Sequence, residues 1–173
     1  VDKALELAAQ AAVQMAPAQD DLRMDLLKAA RALEKHESEL VALLVRDAGC
    51  TMEEADIELR NAIDACRFYE QSVITPGLHD GTISTPLGVV VVAADRVHPL
   101  ASAMSGIAAA WVSGNTVIYK PSFHSILLGY RLTGILQESR LILRRLIAQG
   151  VTILMVSHDV PFCSEYAHKC GLF

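Results

Sequence analysis

Apolar residues at 22, 26, 33, 40 and 44 are all leucine and fall on one face at helical spacing. They predict a long helix capped by Asp20 or Asp21 and ended by Asp47-Ala48-Gly49. Upstream, Leu5, Ala8, Ala9, Ala12 and Val13 mark a shorter helix that stops at Pro17. Downstream, Thr51-Met52-Glu53-Glu54 is a capping box, with Glu54 spaced to reach back to the Thr51 amide. The helix it opens runs to about Gln71 and turns Ala55, Leu59, Ala62, Cys66 and Tyr69 inward. Residues 76–86 then read as a loop or hairpin.

After Pro86 the period changes. Residues 89–92 are four valines in a row, a run that predicts a fully buried strand. Residues 100–112 are small, apolar and uncharged, as suits a helix lying flat on a sheet. Ser113-Gly114-Asn115 signals a turn, and residues 116–119 form a second short strand stopped by Pro121. Strand, helix and strand with short connections make a βαβ unit, with parallel strands and a right-handed crossover. Ligands of such sheets bind at the carboxyl ends of the strands, where Lys120, Pro121 and Ser122 stand.

Residues 125–136 predict a further helix, and Leu141, Leu143, Leu146 and Ile147 another, closed by Gly150. Residues 151–156, VTILMV, read as a buried strand expected to join the same sheet. Ser157-His158-Asp159 and a short helix from Pro161 complete the chain. The fold class is therefore α/β. Amino-terminal helices pack on a small, mainly parallel Rossmann-like sheet built from 89–92, 117–119 and 151–156.

Composition narrows the choice of function. With 173 residues, 52% of them hydrophobic, the chain can bury one good core. No apolar run approaches the roughly 20 residues that span a bilayer. A net charge of −5 gives no electrostatic case for nucleic acid. Four cysteines without a leading secretory pattern point to reduced thiols and a cytoplasmic location. Val1 and Phe173 read as cut ends rather than finished ones.

The segments PLGVV, Pro99-Leu100 and IAAAWVSGNTVIYKPS together resemble the cofactor-domain core of the aldehyde dehydrogenase superfamily. The GNTVIYKPS block carries most of the likeness, because Gly, Asn, Lys and Pro stand at fixed offsets across a strand end. RAGCTMEEADIEL is similar to an amino-terminal helical segment of that family. RNAIDACRFYEQ resembles members acting on glutamate semialdehyde in proline breakdown. The likeness covers about residues 1–138. It implies an NAD or NADP cofactor touched by Lys120, Pro121 and Ser122, with Lys120 donating to the adenosine ribose. It also implies contacts between copies of the chain through the loop at 76–86, hence a homo-oligomer.

Two departures weaken the implied site. The family's second ribose ligand, a Glu after Lys-Pro-Ser, is Phe123 here, and its Trp-Asn pair aligns with Arg96 and Val97. Valine has no side-chain donor for an oxyanion. The family's catalytic cysteine, carboxylate base and pyrophosphate turn lie beyond the matched part. The resemblance thus implies a truncated dehydrogenase-type module that binds a dinucleotide weakly and has no catalytic residue of its own.

Residues 139–173 resemble a different family. LRRLIAQGVTILMVSHD, followed by Phe162-Cys163 and Tyr166-Ala167, is similar to the end of an ABC-type ATPase domain. By that resemblance His158 would sense a γ-phosphate. Such sensing needs a Gly-x-x-x-x-Gly-Lys-Ser/Thr loop, and these 173 residues contain none. His158, Cys163, His168 and Cys170 lack paired metal-ligand spacing, so no metal site is expected. Division at 138/139 makes the chain a joined pair of family fragments. The competing reading is a non-catalytic α/β chimera or interaction remnant, or a fragment related to ABC transporter ATPases.

Overall fold

A computed structural model describes residue 6, residues 8–9, 19–72 and 86–138. The described elements are α1 (Gln19–Lys35), α2 (Glu37–Leu43), a π-helical turn (Leu44–Ala48) and α3 (Met52–Ser72). Then come β1 (Val89–Ala93), α4 (Ala101–Val112), β2 (Thr116–Lys120), a 3-10 turn (Phe123–Ser125) and α5 (Ile126–Glu138).

The leucine stripe is the floor of the helical layer. Leu22, Leu26, Leu33, Leu40 and Leu44 are all buried, none more than 3% exposed. They do not lie on one helix, however. The chain turns at His36 (φ −103°, ψ 21°) and again through the π-helical turn, which ends on left-handed Gly49 at φ 79°. A stripe of apolar residues reports which side faces the core, and that side survives a break in the backbone between them. Asp20 and Asp21 lie inside α1 rather than before it. Of the first predicted helix, Ala8 is buried and Ala9 exposed; Leu5, Ala12 and Val13 lie outside the described residues.

The capping box forms as its spacing requires. Glu54 Oε2 accepts from the Thr51 amide at 2.8 Å, and Thr51 Oγ1 accepts from the Glu54 amide at 3.2 Å. α3 buries Ala55, Leu59, Ala62, Ile63 and Cys66, while Tyr69 is half-buried. It packs between α1 and α4. Arg23 of α1 donates to Glu70 Oε1 of α3 at 2.8 Å, which satisfies a carboxylate only 6% exposed.

β1 and β2 form a two-stranded parallel sheet in register Val89↔Thr116 through Ala93↔Lys120. α4 lies so close to β1 that a Cβ at Gly106 would sit 2.8 Å from Val92 Cγ1. That contact is why the helix is built from small residues. At the turn before β2, Gly114 takes φ 77°, and Asn115 ties both strand starts together. Its Oδ1 accepts from the Gly88 amide at 3.0 Å and its Nδ2 donates to the Ala110 carbonyl at 3.2 Å. One expectation fails here: β1 is not fully buried. Val92 is 7% exposed beneath α4, but Val91 is 57% exposed on the opposite face. A β-branched run fills a sheet covered on both faces, and among the described residues only one face of β1 is covered. The strand expected at 151–156 and the helix around 141–147 lie outside the described residues, as does the loop at 76–86.

Candidate functional site

The last residues of the two strands stand side by side, because the Ala94 amide donates to the Lys120 carbonyl at 3.0 Å. Two segments therefore emerge together at the carboxyl end of the sheet. One is the loop at 95–100 after β1. The other is Lys120-Pro121-Ser122 after β2.

Lys120 ends β2 with its side chain exposed. Pro121 is buried under α5, where a Cβ at Gly129 would sit 2.5 Å from the proline Cβ, so glycine permits the approach. Ser122 is extended (φ −63°, ψ 144°) and 9% exposed, and its carbonyl accepts from the Ser125 amide at 3.1 Å to start the 3-10 turn. The Lys-Pro-Ser spacing thus has a mechanical basis. The proline anchors under α5, leaving lysine at the rim and serine facing inward. Next to them Phe123 is 67% exposed, edge-to-face with His124 at 5.6 Å between ring centres. Ser125 Oγ is buried without a hydrogen-bond partner.

The loop after β1 is held from below by a residue that sequence reasoning missed. Glu58 of α3 is 2% exposed, and its Oε2 accepts from the Leu100 amide at 3.2 Å and the Ala101 amide at 3.1 Å. Its Oε1 lies 2.7 Å from His98 Nδ1. These amides belong to the amino end of α4, which has no side-chain cap of its own. Asp47 does the same for α5, its Oδ2 accepting from the Leu128 amide at 2.9 Å. The pairings span 42 and 81 positions of sequence, so no local motif announces them. Both helices that follow a strand therefore have their positive ends occupied by the protein's own carboxylates.

That occupancy limits the chemistry. In an α/β fold the helix end after the first strand is a ready phosphate site. Glu58 already fills it here, and a phosphate beside a buried carboxylate meets repulsion. The Lys120 ammonium and the Ser122 hydroxyl are groups that suit ribose hydroxyls, so the residues fit the sugar half of a dinucleotide and not its pyrophosphate. Arg96 and Val97 are both exposed at the rim, Val97 by 67%.

Neither described cysteine is an activated nucleophile. Burial pushes the Cys66 thiol up to about 12, and burial together with Glu58 and Glu54 raises that of Cys50. Cys163, His158, His168 and Cys170 lie outside the described residues. Among those described, no group of three His, Cys, Asp or Glu side chains could hold a metal ion, and no helix is long and apolar enough to cross a membrane.

Comparison with known proteins agrees with this arrangement. The profile of the aldehyde dehydrogenase family matches residues 1–150. A 1-pyrroline-5-carboxylate dehydrogenase of Anoxybacillus flavithermus is 30% identical over 151 residues, covering 81% of this chain and 29% of that protein. The bifunctional protein PutA of Salmonella typhimurium is 35% identical over 140 residues, 80% of this chain and 10% of that one. Among solved structures, the Thermus 1-pyrroline-5-carboxylate dehydrogenase with bound NAD superposes with a TM-score of 0.71 at 29% identity, over 79% of this chain and 29% of that chain. The chain thus spans about three-tenths of the length of the curated dehydrogenases it matches.

Proposed function

The chain belongs to the aldehyde dehydrogenase family, and from that premise we propose that it is the opening part of an NAD(P)-dependent dehydrogenase cofactor domain. On this reading the 173 residues are catalytically incomplete and bind a dinucleotide weakly, by its adenosine half. The longer protein of which such a module forms part would oxidise an aldehyde of the glutamate-semialdehyde type, as the resemblance carried by RNAIDACRFYEQ implies, and a relative bears the name 1-pyrroline-5-carboxylate dehydrogenase. The supporting observation is the carboxyl end of the sheet, where the exposed Lys120 and the inward Ser122 flank buried Pro121.

Each departure at that end reduces affinity. With Phe123 in place of a carboxylate, a two-sided ribose clamp becomes one-sided. Loss of a charged hydrogen bond of about 1.5–3 kcal/mol weakens binding roughly tenfold to a hundredfold. With Glu58 filling the α4 end, the pyrophosphate gains nothing there. Dissociation constants at or above the millimolar range follow. The missing acid also removes repulsion toward a 2′-phosphate, so NAD and NADP should bind alike.

Residues 139–173 are kept in the same proposal as a second fragment, similar to an ABC-type ATPase end, although the aldehyde dehydrogenase family match runs on to residue 150. His158 serves no γ-phosphate there without a phosphate loop in these residues. The carboxyl-terminal boundary at 138/139, the homo-oligomer and the cytoplasmic location stand with this reading. The test is a titration of the chain and of Lys120→Ala with both cofactors, followed by calorimetry or NMR. Binding should drop at least tenfold in the variant, the weight of one charged hydrogen bond. Equal binding in both proteins would show that Lys120 is scaffold. A ligand at its dissociation constant adds only about 0.4 kcal/mol of stability, so the titration runs to tens of millimolar cofactor, and the absence of any shift there leaves only the non-catalytic scaffold reading.

A further inference from the structure

A histidine on an exposed loop ordinarily turns freely, and its ring proton moves between the two nitrogens. His98 has neither freedom. Its carbonyl accepts from the Ser102 amide at 3.0 Å, at the start of α4. Its Nδ1 lies 2.7 Å from Oε1 of Glu58, a side chain only 3% exposed. The Leu100 and Ala101 amides take the other carboxylate oxygen, so Glu58 is fixed in turn. A carboxylate only accepts, so Nδ1–H donates and Nε2 keeps its lone pair.

That lone pair faces outward. The His98 side chain is 63% exposed, and with Nδ1 turned in to a buried partner the exposed edge of the ring carries Nε2. Among the described residues nothing forms a hydrogen bond to Nε2. The loop beneath it is braced from within. The Asp95 amide donates to Ser102 Oγ at 2.9 Å, and the Val97 amide donates to Asp95 Oδ1 at 3.3 Å. One nitrogen, in one tautomer and one orientation, thus stands at the end of the sheet where ligands of α/β folds bind.

We propose that Glu58 and His98 form a nucleophilic pair, in which Nε2 accepts an acyl group from an activated carbonyl compound such as an anhydride or active ester. Glu58 is the positioning residue of the pair. The Nε2 lone pair attacks the carbonyl carbon, and the carbon–oxygen bond to the leaving group breaks. The leaving group departs as an anion with the bonding electrons. The Nδ1 proton passes to Glu58 Oε1, which leaves the acylated ring neutral. Neither described cysteine competes, because burial raises both thiols. The inference does not depend on cofactor binding, since it uses neither Lys120 nor Ser122.

The experiment treats the full chain with diethyl pyrocarbonate at about pH 8, where an ordinary imidazole is neutral, and follows each histidine by mass spectrometry. His124 is the internal control, since its ring is exposed and meets the Phe123 ring rather than a carboxylate. His98 should be acylated at least about tenfold faster, the size of effect that carboxylate partners have on the histidines they orient. Nitrogen-15 NMR of the same chain should place the His98 ring proton on Nδ1, a signature that packing alone does not produce. In Glu58→Gln the side-chain NH2 donates to Nδ1 while its oxygen keeps the two amides. The ring proton then moves to Nε2, and the rate should fall to that of His124. Both readings on the unaltered chain decide the matter even where the variant folds poorly. The proposal is overturned if the proton sits on Nε2, or if His98 reacts no faster than His124. It is also overturned if folded Glu58→Gln reacts as fast as the unaltered chain.

Discussion

The helical layer and the carboxyl end of the sheet are built on opposite terms. In the layer formed by α1–α4, buried charge is matched: Glu70 takes Arg23, and Glu58 takes two amides and His98. Its inner apolar side chains are covered, with Leu33, Leu40 and Leu44 fully out of solvent, while Met52 and Phe68 on its outer side are 66% and 65% exposed. At the carboxyl end of the sheet Phe123 and Val97 are each 67% exposed, and Ser125 Oγ is buried without a partner, as Trp111 Nε1 is in α4. The first region is braced by carboxylates that reach between its own elements. The second carries the exposed Lys120 and Phe123 at the strand end. The chain covers about three-tenths of the length of the dehydrogenases it matches.

The sharpest way to break this contrast is to cut one large side chain from each region. Leu33→Ala removes a fully buried side chain from the helical layer and should cost about 2–5 kcal/mol. Phe123→Ala removes a larger side chain from the site end, yet should stay within about 0.5 kcal/mol, because the ring is mostly in solvent already. Urea unfolding of both variants decides it. A similar loss for Phe123→Ala would mean that the site end is packed after all, and the contrast would fall.

How much of this could be read in advance depends on the range of each signal. The leucines, the capping box, the βαβ unit and the Lys120-Pro121-Ser122 strand end are local patterns, and they stand where their spacing puts them. The turn at His36 was hidden because its ring meets Arg131 of α5, 95 positions away in sequence, with Nδ1 3.3 Å from the guanidinium. No local pattern marks Glu58. Its role as the cap of α4 exists only once two distant segments meet. Val91 read as buried because four valines carry no mark of which faces a sheet will have covered. Local chemistry was legible, and carboxylates acting across the fold were not.

Those carboxylates supply the next test. Glu58→Ala leaves the Leu100 and Ala101 amides without their acceptor and should cost about 1–3 kcal/mol. It also vacates the positive end of α4. Inorganic phosphate, at matched ionic strength, should then stabilise Glu58→Ala more than the unaltered chain. Equal stabilisation of both proteins would mean that Glu58 does not occupy an anion site, and that the pyrophosphate is excluded for some other reason.

The smallest expected effect refines the contrast inside the helical layer, at its exposed margin. Glu54 accepts from the amide and hydroxyl of Thr51, and the amide bond is the main cause that lowers its proton affinity below the ordinary glutamate range. A carboxyl whose folded pKa is depressed adds stability that is present above its unfolded value and disappears as pH falls through the folded one. The folded state binds this proton less readily than the unfolded state, so acid favours unfolding. Glu54→Gln keeps an acceptor but cannot titrate. Its melting temperature should therefore fall less steeply than that of the unaltered chain between neutral pH and the acid end of the carboxylate range. The two curves should converge at the lowest pH, where Glu54 is protonated in both states. Parallel curves across the whole range would show that the capping box holds as firmly with a neutral partner, and that its charge adds nothing to the α3 start.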